Sequence, residues 1–438
     1  MNIINSRREI KSGVVLSKMR KILLFLGVFF YVSQAIAVQD SLETEDRKTF
    51  EFIADSLNEM IFLGNNPDFR CKFYDKIDSF RTTGKGRINI LHIGGSHVQA
   101  DIFSHTVRCR IDSLNGEFKP SRGILFPYQV AKTNNPTNYN VTYAGEWKSS
   151  RNIKRDREAI LGVTGMAVST MDTIAEIRIK LNPKDSVGRW SFTRLKLLGY
   201  AEHPKVMPLL KLGNSSFLHP IYDSVASTYT YLLSVPMDSL NLIISQTDTI
   251  SHRFTLTGLL LENDEPGIVY HSIGVNGASV PSYLSCPNFE RDLNLIRPDM
   301  VIFAIGINDA VPQNFSKNNF IANYDSLLSK FRKVSPECFF VFVSNNDSYR
   351  KIKRRYRRTR YQLNTNGVLA REAFATLAEK HDGSLWDLFS IMGGLDSIKK
   401  WEESGLSQKD KVHFTKAGYT LVGNLFFEAF LNSYNNKD

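Results

Sequence analysis

Five apolar runs of strand length recur along the chain, at 88–93, 267–274, 301–307, 338–344 and 384–389. Few polar positions interrupt them, the pattern of strands buried on both faces of a sheet. Between and after them, at 98–111, 289–297, 320–334, 367–381 and 415–434, apolar positions recur three and four apart and predict helices. Strands alternating with helices in this way predict an α/β protein, a parallel sheet between two helical layers in a three-layer α/β/α, flavodoxin-like arrangement. Right-handed crossovers then bring the loops that follow the strands to one edge of the sheet.

Two regions follow other patterns. Residues 40–83 carry Phe50, Phe52, Ile53, Leu57, Met60, Ile61 and Leu63 at helical spacing, which predicts a helical cap over 38–86. From 138 to 265 the chain alternates apolar and polar positions in short β-branched segments separated by turn residues, with Phe254–Glu262 as the last strand before the chain returns to the main sheet. That stretch is expected to form a β-sandwich inserted between two parts of the α/β domain, 87–137 and 266–438.

Candidate chemistry gathers at the strand ends. The first run stops at Gly94-Gly95-Ser96-His97, where a buried strand delivers Ser96 to the carboxyl edge of the sheet. A helix starting near Val98 would favour negative charge developing beside that serine. The third run ends at Asn308, whose amide can donate to an oxyanion. Asp410 stands three residues ahead of His413, close enough to orient its imidazole. Gly277 ends the second run and can offer a backbone N–H. Gly165, in a similar Gly-Val-Thr-Gly stretch, competes for that role, but the whole insert separates it from the strand carrying Asn308. His97 is read as lining the pocket, His92 and His271 as core residues, and His105 and His381 as helix positions without a ligand set, so neither metal nor cofactor is expected.

These four blocks resemble the SGNH hydrolases, the GDSL-type esterase superfamily. The resemblance implies that Ser96 is the nucleophile, that His413 is the base with Asp410 as its partner, and that Ser96, Gly277 and Asn308 form the oxyanion hole. One position departs from the family, which usually has Asp before the serine where this chain has Gly95. An SGNH protein with an inserted sandwich is similar to envelope carbohydrate esterases that remove O-acetyl groups from peptidoglycan or other acetylated polysaccharides, which would be its partner. The alternatives are a glycan-binding protein that has kept the fold and an O-acetyltransferase using the same triad. In the insert, Trp147, Trp190 and Tyr229 are either sugar-stacking platforms or, the more frequent use of such residues, packing.

The amino-terminal segment is expected to lie outside the fold. Met19-Arg-Lys21, an apolar run at 22–32 and Ala35-Ile-Ala37 form the pattern of a secretory signal peptide, with Met19 as the true start and residues 1–18 an extension. The apolar run is short for a membrane span. Removing 1–37 lowers the net charge from +11 to +6, and eight of the remaining bases lie in 350–360 (RKIKRRYRRTR). Basicity this local, with only Tyr356 among it, argues against nucleic acid and fits a solvated run able to attract an anionic polymer. Cys71, Cys109, Cys286 and Cys338 have no metal-ligand spacing, and export would permit disulfides without naming a pairing.

Overall fold

The computed structural model describes residues 50–183, 190–213, 215–352 and 360–437. The expected signal peptide and most of the basic run at 350–360 lie outside the described residues.

A six-stranded sheet forms the centre, in the order Met60–Phe62, Ser384–Trp386, Phe339–Val343, Met300–Ala304, Arg87–Gly94, Gly267–Gly274. The last five are the runs expected from the apolar pattern, and they pair in parallel. Phe339–Val343 is buried at every position and Met300–Ala304 at all but its last, so helices cover both faces. The register decides where the site falls. Gly94 lies opposite Gly274 on one side and Ala304 on the other, so three loops leave the sheet at one level.

The expected helical cap is corrected. Asp68–Thr83 is a helix, ended by Gly84 in the left-handed region at φ 64°. Met60–Phe62 is instead an antiparallel edge strand, with Met60 opposite Trp386. Its apolar spacing suited a helix, but the open edge of the sheet offers a ladder of backbone partners that no local pattern reveals. A second difference lies after Ser96. One helix was expected over 98–111, but the chain forms the short helix Ser96–Gln99, turns at Asp101 with φ 48°, and starts again as Phe103–Asp112. The turn carries the Asp101 carboxylate inward to Arg108 and Arg122, at 3.0 and 2.6 Å, all three side chains being at most 4% exposed.

Between the two parts of this domain the strands are antiparallel and lie in a five-stranded and a seven-stranded sheet. Along Ile174–Leu181 and Ser239–Gln246 every second residue is buried, so one face of the five-stranded sheet is covered. The Tyr231 hydroxyl crosses from the seven-stranded sheet to donate to Pro208 O of the other at 2.7 Å. Antiparallel pairing begins ahead of residue 138, because Gly123–Leu125 pairs with Phe254–Glu262. Only residues 263–266 separate that long strand from Gly267–Gly274. Asn263 fastens the join: its side chain donates to Lys119 O at 2.9 Å and its carbonyl accepts from Arg87 at 2.7 Å.

Trp147, Trp190 and Tyr229 are buried in the core, which removes them as sugar-stacking platforms. No disulfide links the four cysteines, and burial raises the thiol pKa of both Cys286 and Cys338. Among the described residues no helix is long and apolar enough to cross a membrane.

Candidate active site

Ser96 opens the short helix at the end of the strand Arg87–Gly94. A Cβ on Gly94 would stand 2.3 Å from Val98 and 2.6 Å from the Ala304 carbonyl, so only glycine lets this helix fold back so tightly against the strand ends. The Ser96 hydroxyl lies 2.8 Å from His413 Nε2, although 317 positions separate them in the chain. His413 Nδ1 lies 2.7 Å from Asp410 Oδ2.

The loop around His413 is organised by that aspartate. Asp410 Oδ1 accepts the backbone N–H groups of Val412 and His413, both at 3.0 Å, leaving Oδ2 for the imidazole. The His413 carbonyl accepts from Gln408 N at 2.8 Å, and Thr415 caps the helix Lys416–Asn435 that follows. Partial burial opposes ionisation of Asp410, but the His413 ring and these two N–H donors overcome it and lower the pKa to about 2. Asp410 is therefore a carboxylate across the neutral range. It fixes the Nδ1–H tautomer, which leaves Nε2 free to take a proton from Ser96.

On the other side of Ser96, Asn308 Nδ2 donates one N–H to Ala278 O at 2.9 Å, which leaves its second N–H available. Gly277 adopts φ 84°, a left-handed conformation that favours glycine. Neither the Ser96 N–H nor the Gly277 N–H donates to a protein acceptor among the described residues. The Gly165 N–H, by contrast, is bonded to Gly162 O at 3.1 Å. The helix after Ser96 is only four residues long, so the helix-dipole support expected for the serine is small, and these discrete donors are what the site offers an oxyanion.

Gly95 has a local explanation. A Cβ there would lie 3.4 Å from Asn308 Nδ2 and 3.6 Å from Ala278 O, so any longer side chain would be directed at this donor group. The His97 ring packs 5.3 Å from that of His413 and its Nδ1 is 2.8 Å from the Tyr419 hydroxyl, and burial followed by the nearby His413 lowers its pKa to about 3. His92 and His271 are buried in the core. His381 pairs with Asp325 at 2.7 Å, and His105 sits against Arg108 and the Trp190 ring.

Two neighbours of the site went unread in the sequence. Asp309 follows Asn308, and both its carboxylate oxygens lie 3.2 Å from Val280 N, which ties the Asn308 strand end to the helix after Gly277. A carboxylate beside a strand-end amide was the available signal. The other is Ile153, an exposed residue of the insert whose Cδ1 lies 3.7 Å from the position a Cβ would take on Gly277. No local pattern announces that contact.

A parallel α/β sheet with serine, imidazole and carboxylate in hydrogen-bonded sequence at its carboxyl edge has the layout of a serine hydrolase. Residues 253–421 match the family of GDSL-like lipases and acylhydrolases. The matched residues include Gly277, Asn308, Asp410 and His413, whereas Ser96 lies before the insert. A solved peptidoglycan O-acetylesterase shares the fold over 86% of this chain and 99% of its own, with a TM-score of 0.67 at 17% identity. Smaller shares match an acetylxylan esterase from Geobacillus stearothermophilus (19% identity, TM-score 0.29, 38% of this chain and 73% of that one). The psychrotrophic esterase EstA from Pseudoalteromonas sp. also matches (17% identity, TM-score 0.30, 39% and 81%). No curated protein matches the chain.

Proposed function

We propose that the protein is an exported serine esterase that removes O-acetyl groups from a cell-envelope glycan such as peptidoglycan. The observation that carries this reading is the hydrogen-bonded chain from Ser96 through His413 to Asp410. Ser96 Oγ attacks the acetyl carbonyl while its proton passes to His413 Nε2. The N–H groups of Ser96 and Gly277 and the free N–H of Asn308 hold the oxyanion. The C–O bond to the sugar then breaks, the sugar oxygen takes the proton from His413, and an acetyl-serine remains. Water, deprotonated by His413, attacks the acetyl carbon, the bond to Ser96 Oγ breaks as that oxygen takes the proton from His413, and acetate leaves.

The choice of glycan and of the cell envelope rests on likeness of fold to the peptidoglycan enzyme together with the signal-peptide pattern at 19–37. The test is acetate release from 4-nitrophenyl acetate and from O-acetylated peptidoglycan by the wild type and by Ser96→Ala. Release by the wild type and its loss in the variant are expected. No release by wild type would leave a glycan-binding protein, and acetyl transfer to a sugar in preference to water would make it a transferase. Amino-terminal sequencing of the exported protein should begin near Val38.

A further inference from the structure

The insert carries a second cluster of imidazole and carboxylate, away from the serine chemistry. His203 lies on the connection between the strands Phe192–Ala201 and Val206–Leu212, and Asp248 and His252 lie between Ser239–Gln246 and Phe254–Glu262. Both connections pass between the five-stranded and seven-stranded sheets. They are already bound together, Glu202 N donating to Arg253 O at 2.9 Å and Thr247 N to Lys205 O at 3.3 Å. Buried Gln246 grips the second connection, accepting His252 N–H at 2.9 Å and donating to His252 O at 2.8 Å.

We propose that His203, Asp248 and His252 form a binding site for a divalent transition metal ion such as zinc. One ligand atom from each lies within 4.8 Å of the others. His252 Nε2 is 3.3 Å and His203 Nδ1 4.0 Å from Asp248 Oδ2. Ligands about 2.0–2.1 Å from a tetrahedral ion stand roughly 3.3 Å apart, so the set closes when the two rings rotate about their side-chain bonds to aim at one ion. The two rings lie stacked, 4.3 Å apart and 12° from parallel. His203 Nδ1 accepts the Lys205 N–H at 3.2 Å, and its lone pair exchanges that donor for the metal on binding. The Lys205 ammonium, 3.2 Å from Asp248 Oδ2, is the cation that a metal would displace from this carboxylate. Two imidazoles with one carboxylate suit zinc, copper or nickel and disfavour magnesium, which takes oxygen ligands. Three protein ligands leave a fourth position for water. Bound there, the ion clamps the two connections at one end of the insert.

The test is titration of the untagged full-length protein with zinc chloride, read by calorimetry and thermal unfolding, with magnesium chloride as the control. One equivalent of zinc should bind and raise Tm, and magnesium should do neither. His203→Ala, His252→Ala and the isosteric Asp248→Asn should each weaken zinc binding by at least about tenfold, while their metal-free Tm values stay near that of the wild type. Lys205→Met removes the competing ammonium and should bind zinc at least as tightly. No stoichiometric uptake, unchanged uptake in the histidine variants, or weaker binding by Lys205→Met would overturn the proposal. None of these readouts depends on esterase activity.

Discussion

Two carboxylates serve the Ser96 turn from opposite environments. Asp410 and its partner His413 keep 40% and 35% of their side-chain surface exposed, whereas Asp101 and both its arginine partners are almost wholly enclosed. Asp101 also accepts from Ser104, Ser272 and Asn138, so nearly every lone pair is engaged. Burial alone would raise its pKa, but the two guanidinium groups reverse that and hold it well below the ordinary carboxylate range. The first pair can exchange protons with water, as turnover requires. The second is sealed and fixes the turn after the serine to the helix Phe103–Asp112 and to the start of the insert. Both carboxylates are held by nitrogen donors, and solvent decides which of them can do chemistry.

The largest expected effect comes from breaking the open pair. Asp410→Asn keeps the shape of the loop but loses the charge that fixes the His413 tautomer, and kcat for 4-nitrophenyl acetate should fall on the order of 10⁴-fold, with Tm little changed. Breaking the sealed pair should do the reverse. Asp101→Asn leaves two buried guanidinium groups without a counter-charge, and chemical denaturation should show a loss of about 3–5 kcal/mol. A variant that lost activity at full stability would contradict its assignment to the scaffold.

Asp309 sharpens the contrast, being a half-buried carboxylate with no cation paired to it among the described residues. Burial raises its pKa from 3.8 to about 7, against which the Val280 N–H gives only partial relief. Because the folded state holds the proton more tightly than the unfolded chain, the resulting stability is complete below about pH 4 and is lost as the pH rises through 7. Asp309→Asn should therefore flatten the dependence of Tm on pH and raise Tm by a few degrees near pH 8. Smallest of all is Gly95→Ala, whose added methyl meets Asn308 at ordinary contact distance. It should shift stability by less than about 0.5 kcal/mol.

The strand-end chemistry is legible in the sequence because parallel strands buried on both faces are continuous apolar runs, and the polar residues that stop them stand out. Asp410 and His413 are legible for a different reason, since three residues of chain are enough to let one orient the other. The edge strand Met60–Phe62 is not legible, because its partner lies more than three hundred residues away and its own apolar spacing fits a helix. The interruption at Asp101 depends on Arg122 and Asn138, which belong to later elements. His203, Asp248 and His252 lie on two connections with no apolar period to flag them, and only the pairing of sheets brings them together. Trp147 and Trp190 show the same limit in reverse, since composition cannot say which aromatic side chains the insert keeps for its own interior.

The short join at 263–266 has a mechanical consequence. With Asn263 pinned to two parts of the chain and Gly123–Leu125 laddered to the strand that leaves the insert, the insert has no free hinge and must travel with the central sheet as one rigid piece. Exchanging it as a cassette with that of another enzyme would break the ladder between Gly123–Leu125 and Phe254–Glu262 and the Asn263 bonds at the join.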